Sequence, residues 1–131
     1  YLFIGVDLIK NKQILDKAYN DKKGYTAKFS LNLINIINRT QKTNLNIKDF
    51  YYHGYYNTKL KCIQGFLVSK INQNFKIGNK KFFLKKSERI LVEISNKFTI
   101  QSFKRLASNT GWTTERVWLD NQKYYSLFLL K

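Results

Sequence analysis

The sequence predicts a mixed α/β fold that opens on one apolar strand and closes on a helix with a strand hairpin. Three observations predict it. Tyr1–Leu8, YLFIGVDL, is a near-continuous apolar run, as in a central parallel strand covered on both faces. The stretch from 10 to 97 carries two helical periods and then a series of alternating runs. The last 34 or so residues read as helix, strand, strand. The opening strand and this ending look like the tail of a larger α/β core, with the middle inserted into it. The expected division is 1–9 for a core strand, 10–97 for the inserted α+β segment, and 98–131 for the closing helix and hairpin.

Each element has a local reason. Gly5 in the first strand lets another backbone or a helix come close. Ligands of open α/β sheets sit beyond the carboxyl ends of such strands, so Asp7 is either near a ligand or a turn residue. Asn11–Asn20 reads as a short helix capped by Asn11, with Ile14, Leu15 and Ala18 on one face. Tyr19 ends it, either plugging the core or turning its hydroxyl to a ligand. Thr26–Gln41 is a longer helix with Phe29, Leu33, Ile36 and Ile37 in period. Asn46–Phe50 is a link. Tyr51–Asn57, YYHGYYN, reads as a strand bent or bulged at Gly54. Lys59–Lys70 is a second strand around Phe66, Leu67 and Val68. Phe75–Ile77 and Lys81–Leu84 pair around Gly78-Asn79. Thr99–Asn109 is a helix with Thr99 as N-cap and Gly111 as its C′ glycine. Trp112–Leu119 and Tyr124–Leu130 close the chain, the last apolar enough to be central.

Between hairpin and last helix lies Arg89–Ser95, and here the chemistry concentrates. Leu91, Glu93 and Ser95 are expected on one face of this strand, Val92 and Ile94 on the other. A carboxylate accepts from N–H groups, and a serine hydroxyl donates or accepts. Such a pair can grip a ring with two nitrogens. The plainer reading is a solvated face with Glu93 paired to a lysine.

Composition narrows the classes. At 131 residues with 44% hydrophobic and 16% aromatic content, the chain can bury one real core. The formal net charge of +16, from 24 Lys+Arg against 8 Asp+Glu, suits an anionic partner. The basic residues, however, are mostly lysines spread along the whole chain, which fits a compositional bias as well. The rival reading is a small basic module in which Tyr51, Tyr52, Tyr55 and Tyr56 stack bases. Cys62 is the only cysteine, which excludes an internal disulfide and suggests a reducing, cytoplasmic setting. His53 is the only histidine, so no Cys/His metal set is expected. No apolar run is long enough to span a membrane. Methionine is absent even at position 1, and the chain begins directly on a strand, so a fragment with an upstream part is expected.

Five segments, FIGVDLIKN, ILDKAYNDKKGYTAKF, INRTQKTNLNIKDF, LVEISNKFTIQSF and GWTTERVWLDNQKYYSLFLL, occur in an order that resembles the C-terminal part of the histidine-specific S-adenosylmethionine-dependent methyltransferase family. The resemblance implies a Rossmann-like, class I methyltransferase core with an inserted α+β substrate-binding domain. It also implies methylation of the α-amine of L-histidine to Nα-trimethylhistidine, the ergothioneine precursor. The family's substrate-site tyrosine matches Tyr19 in AYND, and its imidazole-holding Glu and Ser match Glu93 and Ser95. Three positions depart from the pattern. Val92 replaces a threonine, Asn20 replaces the first Asp of the tyrosine segment while Asp21 keeps the second, and Gly65 falls where a pocket methionine aligns, implying a roomier ring pocket. No glycine cluster for the cofactor is present. S-adenosyl-L-methionine is therefore expected to be bound mainly by an upstream half, with no cofactor-binding residue and no catalytic residue identified in this chain, and with the chain inactive alone. The expected partner is the amino acid, with no membrane, no nucleic acid and a monomeric state.

Overall fold

The computed structural model describes residues 1–131. Twelve elements follow in order: β1 (Leu2–Asp7), α1 (Lys12–Tyr19), α2 (Tyr25–Gln41), a 3-10 turn (Ile47–Asp49), β2 (Phe50–Asn57), β3 (Cys62–Ser69), β4 (Gln73–Ile77), β5 (Lys80–Leu84), β6 (Arg89–Asn96), α3 (Ile100–Asn109), β7 (Thr114–Leu119) and β8 (Tyr125–Leu130). The mixed α/β class and the order of elements agree with the sequence.

Local chemistry sets the ends. The Asn11 side chain accepts from the backbone N–H of Gln13 and starts α1. Asp21 accepts from the N–H groups of Tyr25 and Thr26, holding the first turn of α2. Thr99 and Ser102 form a capping box on α3. Gly111, at φ +85°, ends α3 in a Schellman motif, with Gly111 N–H on the Ser108 carbonyl and Trp112 N–H on that of Ala107.

Three antiparallel sheets result: β1-β8-β7, β2-β3-β6 and the β4-β5 hairpin. The first is covered by α3. Val6, Leu8, Phe103, Ala107, Phe128 and Leu130 form its core. Alternation explains this, since Ser126, Phe128 and Leu130 of β8 all point inward. The second sheet carries α1 and α2. Ile34 of α2 packs with Leu45, Phe50, Leu67 and Leu84, and Leu15 of α1 with Tyr56 and Ile63.

Two expectations are corrected. Within this chain the opening strand has no parallel strand partner. β1 pairs only with β8, antiparallel, as an edge of its sheet, and Phe3 is 60% exposed. Its one parallel contact is the bridge from Leu8 to Phe98. An apolar run cannot by itself distinguish partner direction, because both ladders accept the same side chains. The other correction concerns the bulge. β2 and β3 pair without a break, Gly54 opposite Gly65. The irregularity lies between β3 and β6, where Gly65 faces Glu93 but Phe66 faces Leu91.

Phe128 is fully buried and touches Phe103 at 4.5 Å between ring centroids. Phe128→Ala is expected to cost about 3–5 kcal/mol, and Thr99→Ala about 1 kcal/mol. Urea unfolding of both variants checks the ranking.

Candidate functional site

The extra residue in β6 determines what faces the helices. Opposite Gly65 the strand steps by two residues to Leu91, so strict alternation fails there. Leu91 therefore leaves the expected face and pairs with Phe66 on the far side. Val92 instead packs toward the Ile34 core. Glu93 and Ser95 keep their common, helix-side face. They stand two positions apart with Ile94 between them, about 7 Å along the strand.

Tyr52 supports Glu93. Its ring lies across Gly54 and Gly65, and its hydroxyl donates to Glu93 Oε2 at 3.4 Å. A Cβ at Gly54 would sit 2.6 Å from the Tyr52 hydroxyl oxygen, and one at Gly65 2.9 Å from it. The glycine pair is thus a bed for this tyrosine. The space expected at Gly65 is not a roomier ring pocket, because Tyr52 fills it. Burial, then the neighbouring carboxylate of Glu93, pushes the Tyr52 phenol far above its ordinary value, so it remains a proton donor. Glu93 meets no cation within ion-pair distance, although the chain holds 24 Lys and Arg. The lysine-paired surface acid is therefore not what the fold makes of it. Glu93 and Val92 line a hollow of about 290 Å³ with Phe29, Leu33 and Ile36 of α2.

Ser95 and Tyr19 meet directly, Tyr19 Oη 2.8 Å from Ser95 Oγ. The residue joining them is Lys97, which the sequence reading passed over. Its Nζ donates to Tyr19 Oη at 2.8 Å and to Ser95 Oγ at 2.9 Å, and it pairs with Asp7 Oδ2 at 2.9 Å. The lysine is 3% exposed. Burial alone would lower its pKa, but the contacts to Tyr19 and Asp7 outweigh it and hold the value above the ordinary range. Burial likewise works to raise Asp7, while Lys10 and Lys97 together hold it below the usual carboxylate range. Asp7, Tyr19, Ser95 and Lys97 line a second hollow of about 290 Å³, beside Phe98 and Tyr125. Glu93 does not line it.

Helix α1 is fixed over this site by its own polar groups. Asp16 accepts from the Tyr56 N–H at 2.7 Å, and the Asn20 amide donates to the Gly54 carbonyl at 2.7 Å. Asn20, the departure from the family's Asp, therefore has a structural partner. Of the four tyrosines offered to nucleic acid, Tyr52 and Tyr56 are packed inward, and Tyr55 stacks on Phe66 and donates to Gln64. Tyr51 alone stands exposed. A larger hollow of about 590 Å³, among Lys42, Asn74, Phe75, Lys76 and Lys81, contains none of the residues the sequence singled out. No helix is long and apolar enough to cross a membrane.

A sequence model of a family described as histidine-specific methyltransferase, SAM-dependent, matches residues 1–131. Over 130 residues the chain is 28% identical to a histidine N-alpha-methyltransferase of Mycobacterium tuberculosis (strain CDC 1551 / Oshkosh), covering 98% of this chain and 40% of that protein. It is 25% identical over 130 residues to a histidine N-alpha-methyltransferase of Mycolicibacterium smegmatis (strain ATCC 700084 / mc(2)155), with the same coverage of 98% and 40%. The chain thus spans about two fifths of the length of the curated relatives it matches. A nucleoside cofactor needs closely spaced glycines and a free carboxylate for its ribose. The residues here do not fit it. Gly24, Gly78 and Gly111 sit in separate open turns, tyrosine rings fill the Cβ positions of Gly5, Gly54 and Gly65, and Asp7 is engaged by two lysines.

The Asp7–Lys97 pair gives a pH prediction. A carboxyl lowered in the fold contributes stability that is present above its unfolded value near 3.8 and lost as pH falls through its folded value. Lys97→Met removes one of the two cations that lower Asp7. Urea stability measured from pH 5 to 2, roughly the window of carboxyl titration, should lose less in Lys97→Met than in wild type. Equal losses in both proteins would contradict the pairing.

Proposed function

The chain belongs to the histidine-specific, S-adenosylmethionine-dependent methyltransferase family, and we propose that it supplies the groups that recognise L-histidine as methyl acceptor. The observation that carries this reading is Glu93. It is a half-buried carboxylate without a cation, held by Tyr52, on the same face as a Ser95 hydroxyl that Tyr19 and Lys97 hold in place. An acceptor and a hydroxyl about two strand residues apart match the two nitrogens of an imidazole. The names of the two mycobacterial relatives point to the same acceptor.

In this reading the segment 10–97 is the substrate-binding insertion, while 1–9 and 98–131 belong to a Rossmann-like methyltransferase core. Glu93 accepts from the ring N–H, and Ser95 meets the other ring nitrogen. Tyr19 closes the site from α1. The product is the Nα-methylated and finally the Nα-trimethylated amino acid, formed in the cytoplasm by a monomer. The chain's own contribution is positioning, which removes much of a bimolecular barrier.

A hydrogen bond to a charged group contributes about 1.5–3 kcal/mol, and a neutral one about 0.5–1.5 kcal/mol. In the full-length protein, Glu93→Ala should therefore weaken histidine binding roughly ten- to a hundredfold, and Ser95→Ala less. Cofactor affinity should not change in either. Discrimination against phenylalanine should fall with Glu93, because an unpartnered buried carboxylate is what penalises an apolar ring. Wild-type affinity in Glu93→Ala would sink the clamp. The 131-residue chain alone should show neither methyl transfer nor micromolar S-adenosylmethionine binding by calorimetry; tight binding would mean that a cofactor site lies within it.

A further inference from the structure

Resting on the histidine reading above, we infer that Lys97 is a positioning residue that makes the Tyr19–Ser95 pair a hydrogen-bond donor, so that the site selects the neutral imidazole and rejects imidazolium. The argument is a count of protons. An ammonium has three donors and no acceptor. Here the three go to Tyr19 Oη, Ser95 Oγ and Asp7 Oδ2, at 2.8, 2.9 and 2.9 Å. Tyr19 and Ser95 carry one hydroxyl proton each, and one of these is spent on the 2.8 Å bond between them. One proton is left.

Its bearer is set by the direction of the Tyr19–Ser95 bond, in which Tyr19 Oη donates to Ser95 Oγ, a phenol O–H being a stronger donor than an aliphatic one. The serine oxygen then accepts twice, from Tyr19 and from Lys97, and can only donate outward. Lys97 fills the lone pair that would otherwise let Ser95 accept from the ligand. Ser95 thus offers the ligand a donor and no acceptor. It therefore needs an unprotonated ring nitrogen facing it. Glu93, with Tyr52 donating to one oxygen, offers an acceptor and needs a ring N–H. One N–H and one bare nitrogen describe neutral imidazole. Imidazolium carries two N–H groups and would set one against the donor.

Charge around the ring works against a simple electrostatic preference for the cation. Lys97 and Lys10 lie on the β1 side with Asp7 between them. Tyr19 comes from α1, Tyr52 and Tyr56 from β2, and Glu93 from β6. Glu93 alone would favour imidazolium. The buried ammonium two residues beyond Ser95 opposes it and fixes the polarity of the hydroxyls at the same time.

The test uses full-length protein and L-histidine labelled with ¹⁵N in the ring. At pH 5.5, below the ordinary ring value of about 6.5, bound ligand should show one protonated and one bare nitrogen. The Kd should rise about tenfold for each pH unit below that value, because only neutral ligand binds. In Lys97→Met the hydroxyl pair is free to turn and accept, so bound imidazolium should appear and the pH dependence should flatten. A merely structural lysine would change Kd at every pH without changing the bound protonation state. Imidazolium bound to wild type would overturn the inference while leaving the clamp itself standing. That measurement needs no variant, so it decides the matter even if Lys97→Met does not fold. No histidine binding to wild type at any pH would overturn the histidine reading, and this inference with it.

Discussion

The ion pair of buried Lys97 with half-buried Asp7 is the constraint on which the site depends. Taking an ammonium out of water costs several kcal/mol even after relaxation. Three partners from three elements offset that cost: Asp7 at the end of β1, Tyr19 at the end of α1, and Ser95 on β6. Loss of the carboxylate would strand the buried ammonium, a change that in buried pairs typically costs about 3–5 kcal/mol, whereas Asp7 without Lys97 would keep Lys10. The pair adds little net stability compared with apolar packing of the same volume. Its effect is to allow one arrangement of β1, α1 and β6. The backbone agrees, since Phe98 N–H reaches the Asp7 carbonyl, Ile9 N–H the Phe98 carbonyl, and Lys97 N–H the Lys61 carbonyl. The strand that carries Glu93 and Ser95 is thereby tied at its end to the sheet of β1 and β8.

A second constraint works beside the first. Gly54 and Gly65 pair across β2 and β3 and leave a shallow trough. Tyr52 lies in it and reaches Glu93. A side chain at either glycine would lift the ring. The local bulge in β6 then lets Val92 enter the Ile34 core without turning Glu93 and Ser95 away. Packing and recognition are shared between neighbouring residues of one strand because the strand is irregular there.

Much of this was legible in the sequence, for identifiable reasons. Caps and turns are local, so Asn11, Thr99 and Gly111 announced α1 and α3. Glu93 and Ser95 stood out because acids are rare in a chain of +16. Lys97 was hidden by the same composition: a lysine among so many basic residues carries no signal. Its position two beyond Ser95, continuing the Glu-x-Ser-x-Lys alternation on one face, was the available clue. Tyr52 was read with three other tyrosines as a stacking platform, because only tertiary packing shows which of them turns inward. The antiparallel pairing of β1 with β8 carries no such local signal, since apolar runs fit either ladder.

The central claim is that Lys97 acts on the ligand through Ser95 and Tyr19, not by its own contact. A double-mutant cycle on histidine affinity tests it, with Lys97→Met, Ser95→Ala and the double variant in full-length protein. If Lys97 works through the serine hydroxyl, its loss matters little once that hydroxyl is gone. The double variant should then bind only slightly worse than Ser95→Ala alone, with a coupling in the range of about 0.5–3 kcal/mol. Additive losses, within about 0.3–0.5 kcal/mol, would mean that the two residues act independently and that the polarity of the site is set elsewhere.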